Sequence, residues 1–182
     1  MIKVLVPLAQ GCEELEAVTI TDLLVRAGMQ VITAGLDDQP VKASRGMRLL
    51  PDTSIDQVLN DTFDLIVLPG GLPGADHLRD DVHVQNLLKR HAASGKYVAA
   101  ICAAPKALAQ AGLLEGKTIT GYPGALAAIK LPNTKIKESA LEIDGKIITS
   151  RGPGTAMDFA LALIELLAGK AKREEINAQL VR

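Results

Sequence analysis

The chain has no tryptophan and only two tyrosines and two phenylalanines among 182 residues, so any sizeable core must be built from Val, Ile, Leu and Ala. Its two cysteines, Cys12 and Cys102, are too few for a disulfide framework, and two isolated thiols do not suggest a zinc site; neither metal nor cofactor is expected. Charge of one sign is also missing. With 20 basic against 21 acidic side chains and no basic tract, nothing pulls the chain toward nucleic acid or anionic lipid. No apolar run is long enough to span a bilayer, and a first strand starting at Ile2 leaves no room for a signal peptide. Together these absences predict a soluble protein of the reducing cytoplasm, with no membrane and no specific nucleic-acid partner.

What is present is 48% apolar residues, in short runs broken by Gly, Pro and charged clusters. The length suits one domain, residues 1–182. A β-rich run from Ile2 to Leu8 leads into a helical pattern from Glu13 to Ala27, with Leu15, Val18, Leu23 and Val25 as its apolar positions and Gly28 as its stop. A second strand, Gln30 to Ala34, follows directly. Strand, helix, strand with short links builds parallel sheet. Between Val41 and Leu50 a hairpin is expected around Arg45 and Gly46, as an excursion at the sheet edge, followed by a helical turn capped by Ser54. The runs Asp64 to Leu68 and Tyr97 to Ile101 lack polar alternation and read as strands buried on both faces. Helices are expected from Val82 to Ser94, from Pro105 to near Gly112, and finally from Thr155 to Ala168. A hairpin hinged on Asp144 and Gly145 precedes the last of these. The fold class is therefore α/β, with a mostly parallel central sheet and an edge hairpin.

In open parallel sheets, ligands bind at the carboxyl ends of the strands. Three segments qualify: Ala9 to Glu16, Pro69 to Gly74 and Cys102 to Pro105. Cys102 lies between a buried strand and a helix start, where free backbone N–H groups converge and can lower a thiol pKa. Ala103 and Ala104 are small enough for a sharp elbow, which predicts strained backbone at Cys102. The plainer account of this cysteine is a small buried hydrophobe. Of the three carboxylates in Glu13, Glu14 and Glu16, most could simply complement the helix dipole, yet Glu16 could point along the sheet top. Held protonated beside a thiolate, it would donate a hydrogen bond and shuttle protons. Gly70 and Gly71 could free N–H groups for an oxyanion, or form an ordinary strand-end turn. No dinucleotide fingerprint or phosphate loop occurs. His77 falls in the loop after Gly74, and His83 and His91 on a solvated helix face, so no Cys-His pair is visible.

Four motifs in order, Gly11–Ala17 (GCEELEA), Leu65–Gly71 (LIVLPGG), Ala99–Pro105 (AAICAAP) and Ser150–Thr155 (SRGPGT), resemble the ThiJ/PfpI superfamily, in the branch of the parkinsonism-associated protein DJ-one. The resemblance implies a flavodoxin-like three-layer sandwich, a homodimer, and an oxidation-prone elbow cysteine at Cys102 with Glu16 as its acid. It implies backbone donors at Gly71 and Ala103, and a pocket drawing on Arg45, Arg26, Tyr122 and Pro153. It implies small reactive aldehydes or glycated groups as partners: a glutathione-independent glyoxalase or a deglycase acting on methylglyoxal or its adducts, or else a redox sensor or chaperone. Where members of the family have an active-site His, this chain has Tyr122, before Pro123.

Overall fold

Apolar side chains alternate between the two faces of every central strand, and helices cover both faces for that reason. The structure, a computed structural model, describes residues 1–181. Its first half comprises β1 (Lys3–Leu8), α1 (Glu14–Arg26), β2 (Gln30–Gly35), β3 (Val41–Lys42), β4 (Arg48–Leu49), β5 (Thr53–Ser54), β6 (Leu65–Leu68), α2 (Gly74–Asp80) and α3 (Val82–Ala93). Then come β7 (Tyr97–Ile101), α4 (Pro105–Gln110), β8 (Thr118–Thr120), β9 (Lys135–Lys137), β10 (Leu141–Asp144), β11 (Ile147–Ser150), α5 (Ala156–Ala168) and α6 (Lys170–Gln179). The main sheet has the order β10-β11-β7-β6-β1-β2-β5, all parallel except β10. Val4, Val6, Leu65, Val67 and Ala99 face the layer of α1, α5 and α6. Leu5, Ile66, Leu68, Val98 and Ala100 face α2, α3 and α4. The expected α/β three-layer sandwich with an edge hairpin is present.

Helix α1 shows why this packing holds and where the apolar pattern misleads. Ala17, Ile20, Leu23 and Leu24 turn inward, and Ile20 and Leu24 are completely buried. Each such side chain contributes roughly 1.5–3 kcal/mol. The positions Leu15, Val18 and Val25 instead stand exposed, so only Leu23 of the four expected apolar positions reaches the core. The helix carries a second apolar stripe that faces away from the sheet.

Other differences have local causes. Residues 74–80, expected as loop, form α2, because the backbone after Pro73 enters a helix at once and Ala75 and Leu78 bury against the sheet. Residues 170–179 form α6, a strongly charged helix whose one buried residue, Ile176, packs into the core. The edge hairpin pairs Asp144 with Ile147, so its turn residues are Gly145 and Lys146, one position beyond the expected hinge. Ser54 precedes a 3-10 turn over Ile55–Val58 without capping it through its side chain. The β3–β4 hairpin is not part of the main sheet edge; it docks on the segment after β1, where Gly11 N–H donates to the Lys42 carbonyl and Ser44 N–H to that of Cys12. His91 is buried, not solvated, since it continues the inward stripe of Val84, Leu87 and Leu88, and its Nε2 lies 2.9 Å from the Tyr97 carbonyl. Burial holds that imidazole below its ordinary pKa.

Candidate active site

Strand β7 ends at Ile101 and α4 starts at Pro105, which leaves three residues to reverse the chain. Cys102 takes the corner with φ of 63°, the left-handed region that costs a side-chain-bearing residue about 1–3 kcal/mol. Neighbouring backbone holds it there. Its N–H donates to the Ser150 carbonyl at 3.0 Å, and its carbonyl accepts from Tyr122 N–H at 2.8 Å. The strain expected from the elbow sequence is thus present, and the side chain meets the turn that follows β6 and the first turn of α1.

The three carboxylates at the start of α1 divide into three jobs. Glu13 caps the helix by accepting from Glu16 N–H at 2.8 Å. Glu14 accepts from the Ser44 hydroxyl and from the Arg45 and Met47 amides, which fastens the β3–β4 hairpin and holds the Glu14 carboxyl below its usual range. Glu16 turns inward and is completely buried. Its Oε2 accepts from Gly70 N–H at 2.7 Å, while Oε1 is buried without a hydrogen-bond partner. The group left to meet that carboxyl is the Cys102 thiol, and the two interact. Burial pushes Glu16 up to about 7, against the lowering effect of Gly70 N–H and of the thiol.

Glycine is required where the β6 turn passes the pair. A Cβ on Gly70 would sit 2.6 Å from Cys102 Cβ and 2.8 Å from Glu16 Oε2. Gly71 has φ of 88°, and a Cβ there would collide with the Glu13 nitrogen. This tight passage lets the N–H of Gly71, together with that of Ala103, approach the sulfur.

One expectation is overturned. The helix start was expected to depress the Cys102 pKa, but the thiol is pushed up to about 12, first by burial, then by the charge on Glu16 and its hydrogen bond. Cys102 is only 7% exposed, and removing water from a sulfur anion costs more than two amide donors return while a carboxylate stands beside it. The two groups titrate as a pair that keeps at least one proton at neutral pH. A proton moving from sulfur to carboxylate generates the thiolate next to a neutral acid, with no change in the net charge of the site.

Other expected residues are distributed unevenly. Tyr122 is half exposed, and its ring lies over Gly152, a Cβ on which would stand 3.4 Å from Tyr122 Cδ2. Pro153 opens the turn just beyond, which is tied by Gly152 N–H to the Thr155 hydroxyl. Arg45 is exposed at the tip of the β3–β4 hairpin, on the same side as the start of α1. Arg26 is not brought to the cysteine: it lies ten residues beyond Glu16 on α1, about 15 Å along the axis, paired at 2.7 Å with Asp22. His77 is exposed on α2 against the Gln10 carbonyl, and His83 pairs with Asp56, so no imidazole of the described residues joins the site. Among those residues no three His, Cys, Asp or Glu side chains are grouped to share a metal ion. Sequence reasoning missed the ion pair of Lys106 with Asp76, one helical turn beyond the elbow. Its only signal was a lysine directly after Pro105, where a helix dipole disfavours positive charge.

A strained cysteine elbow at the carboxyl ends of a parallel sheet, facing a buried acid, defines the class: an α/β protein with an elbow cysteine where such sheets bind their ligands. The comparisons narrow this class. Residues 2–166 match the DJ-1/PfpI family, and the chain belongs to it. It is 45% identical to the protein dj-1beta of Drosophila melanogaster over 94% of this chain and 92% of that protein. It is 43% identical to the protein DJ-1 homolog A of Arabidopsis thaliana over 98% of this chain, which spans only 46% of that longer protein. A Caenorhabditis elegans relative called glutathione-independent glyoxalase DJR-1.2 is 36% identical over 92% of this chain and 89% of its own length. The crystal structure of Drosophila melanogaster DJ-1beta superposes with a TM-score of 0.94 at 43% identity, covering 99% of this chain and 97% of that one. No helix among the described residues is long and apolar enough to cross a membrane.

Proposed function

We propose that this protein is a glutathione-independent glyoxalase or a deglycase, acting on methylglyoxal or its adducts through Cys102. The observation that carries the reading is the buried pair itself: a carboxyl tuned to about 7 against a thiol that two backbone N–H groups approach. The relative named as a glyoxalase supports the same reaction class. Cys102 sulfur attacks the aldehyde carbon as its proton passes to Glu16. The carbonyl electron pair moves to oxygen, beside the N–H groups of Gly71 and Ala103, and protonation completes a thiohemiacetal. Glu16 then carries the proton from the former aldehyde carbon to the neighbouring ketone carbon through an enediol. The first carbon is oxidised and the second reduced, so no external oxidant enters. Water cleaves the resulting thioester to lactate and restores the thiol. With no imidazole at hand, Glu16 is the proton carrier for every step. In the Cys102→Ala variant lactate formation from methylglyoxal should fall to the uncatalysed background; unchanged turnover removes the reading.

A second reading, a redox sensor or chaperone without catalysis, draws on the same geometry. The donors that face the sulfur would equally hold the oxygens of a sulfinate, with Glu16 donating to one of them. Mild peroxide followed by intact mass measurement separates the two. Selective gain of two oxygens at Cys102 with no aldehyde consumed favours the sensor, and turnover without that adduct favours the enzyme. We place the protein in the cytoplasm, on its free thiols, and propose that it works as a homodimer. The outward stripe of Leu15, Val18 and Val25, beside Leu50, supplies the apolar face that association would cover.

A further inference from the structure

The two backbone donors at the sulfur come from different strand ends. Strands β6 and β7 are paired up to Leu68 and Ala100; beyond that point β6 turns away, while β7 runs one residue further along β11, to Ile101, before it turns at Cys102. No backbone hydrogen bond among the described residues joins the turn that carries Gly71 to the turn that carries Ala103. Each turn is anchored on its own side, at Gly70 by Glu16 and at Cys102 by Ser150 and Tyr122, and what links the helices that follow them adds a direct tie between the two. Helix α2 begins three residues after Gly71, and α4 begins two residues after Ala103.

A polar link stands in the first turn of both helices. Lys106 Nζ lies 2.8 Å from Asp76 Oδ1, and the lysine side chain is only 11% exposed. The same oxygen accepts from Arg79 Nη1 at 2.9 Å, which holds the carboxylate from its own helix. A lysine in a first helical turn opposes the dipole, and a nearly buried one survives only with a partner. Solubility does not account for it there. We propose that Lys106 and Asp76 are positioning residues, a clasp that sets the distance between the Gly71 and Ala103 N–H groups and so prepares both for the anion formed at Cys102. The inference rests on the cysteine chemistry proposed above, but not on methylglyoxal being the substrate.

The rate of Cys102 alkylation by iodoacetamide against pH reads the clasp directly, alongside kcat and KM with methylglyoxal and the melting temperature. Lys106→Met and Asp76→Ala should each lower the alkylation rate at pH 7.5 roughly tenfold and kcat by a similar factor, with KM changed by less than about twofold. Lys106→Arg, which keeps the ion pair, should recover most of both. Lys96→Met, which removes an equally short ion pair, 2.8 Å to Asp64, at the opposite end of the sheet, should leave both unchanged. Asp76→Ala decides between position and plain charge. If Lys106 acted by its field on the sulfur, freeing it from Asp76 would raise the alkylation rate, and that result overturns the proposal. So does a drop in melting temperature with the alkylation profile unmoved. Should Cys102→Ala leave lactate formation intact while the clasp variants still shift alkylation, the glyoxalase reading fails and the clasp stands.

Discussion

The chain's two cysteines share burial and a raised pKa but differ in backbone geometry and in the groups that meet the sulfur. Cys12 is fully buried and Cys102 nearly so, and burial is the first cause that pushes each thiol up to about 12. Cys12 sits in the turn after β1, surrounded by the carboxylates Glu14, Glu13 and Glu16, with only its own backbone N–H to favour an anion. Cys102 sits on strained backbone, touches Glu16 and receives two amides from other residues. In the proposed chemistry, reactivity does not start from a thiol ionised at rest; it draws on a proton acceptor at contact distance and on donors already placed for the charge that follows. Cys12 has neither, so it is a core residue.

The largest effect should come from crowding the Cys102 side of this contrast. Gly70→Ala drives a methyl group into both Cys102 and Glu16, and should cut turnover by roughly 100-fold while costing about 1–3 kcal/mol of folding free energy. Wild-type turnover in that variant would show that the close passage is not needed. Next comes the acid. Glu16→Gln keeps a polar group of the same shape but cannot carry a proton, so lactate formation should drop by up to about 10²-fold, with less loss of stability.

The same variant sharpens the electrostatic account through folding stability. The Glu16 pKa in the folded protein, about 7, lies above its ordinary value of 4.5, so the native state binds the extra proton between those limits. Its contribution is fully present below pH 4.5 and is lost as pH rises toward 7, a decline of about 3 kcal/mol. Urea unfolding across pH 5 to 8 should show that slope in the wild type and lose it in Glu16→Gln. Equal slopes would mean that Glu16 is an ordinary carboxylate. The smallest effect belongs to Cys12→Ala, which should cost about 1 kcal/mol and leave turnover within about twofold. A large loss of activity there would erase the distinction between the two cysteines.

Much of this contrast was legible in the residues. The run Tyr97 to Ile101 followed by Cys102, two alanines and Pro105 spells a buried strand, a sharp corner and a helix start, and the positive φ at Cys102 follows from that crowding. Gly70 and Gly71 were readable as a turn that could free N–H groups or simply end a strand; their close passage against Cys102 and Glu13 appears only in the structure. Glu16 was separable from Glu13 and Glu14 only in part. Spacing allowed it to face inward, but the distinct duties of its neighbours depend on Gly70 and on the β3–β4 hairpin, 54 and 31 residues away. Helix α6 was illegible because a charged segment with a single buried isoleucine carries no apolar period.

Local chemistry alone therefore determined the strand and helix alternation and the elbow that carries Cys102, since backbone sterics and apolar periodicity act over a few residues. Only the tertiary structure decided the protonation of the thiol, the partner of Lys106 and the separate duties of Glu14 and Glu16. Those depend on desolvation and on distances between turns remote in sequence, which exist only once the sheet has brought its strand ends together.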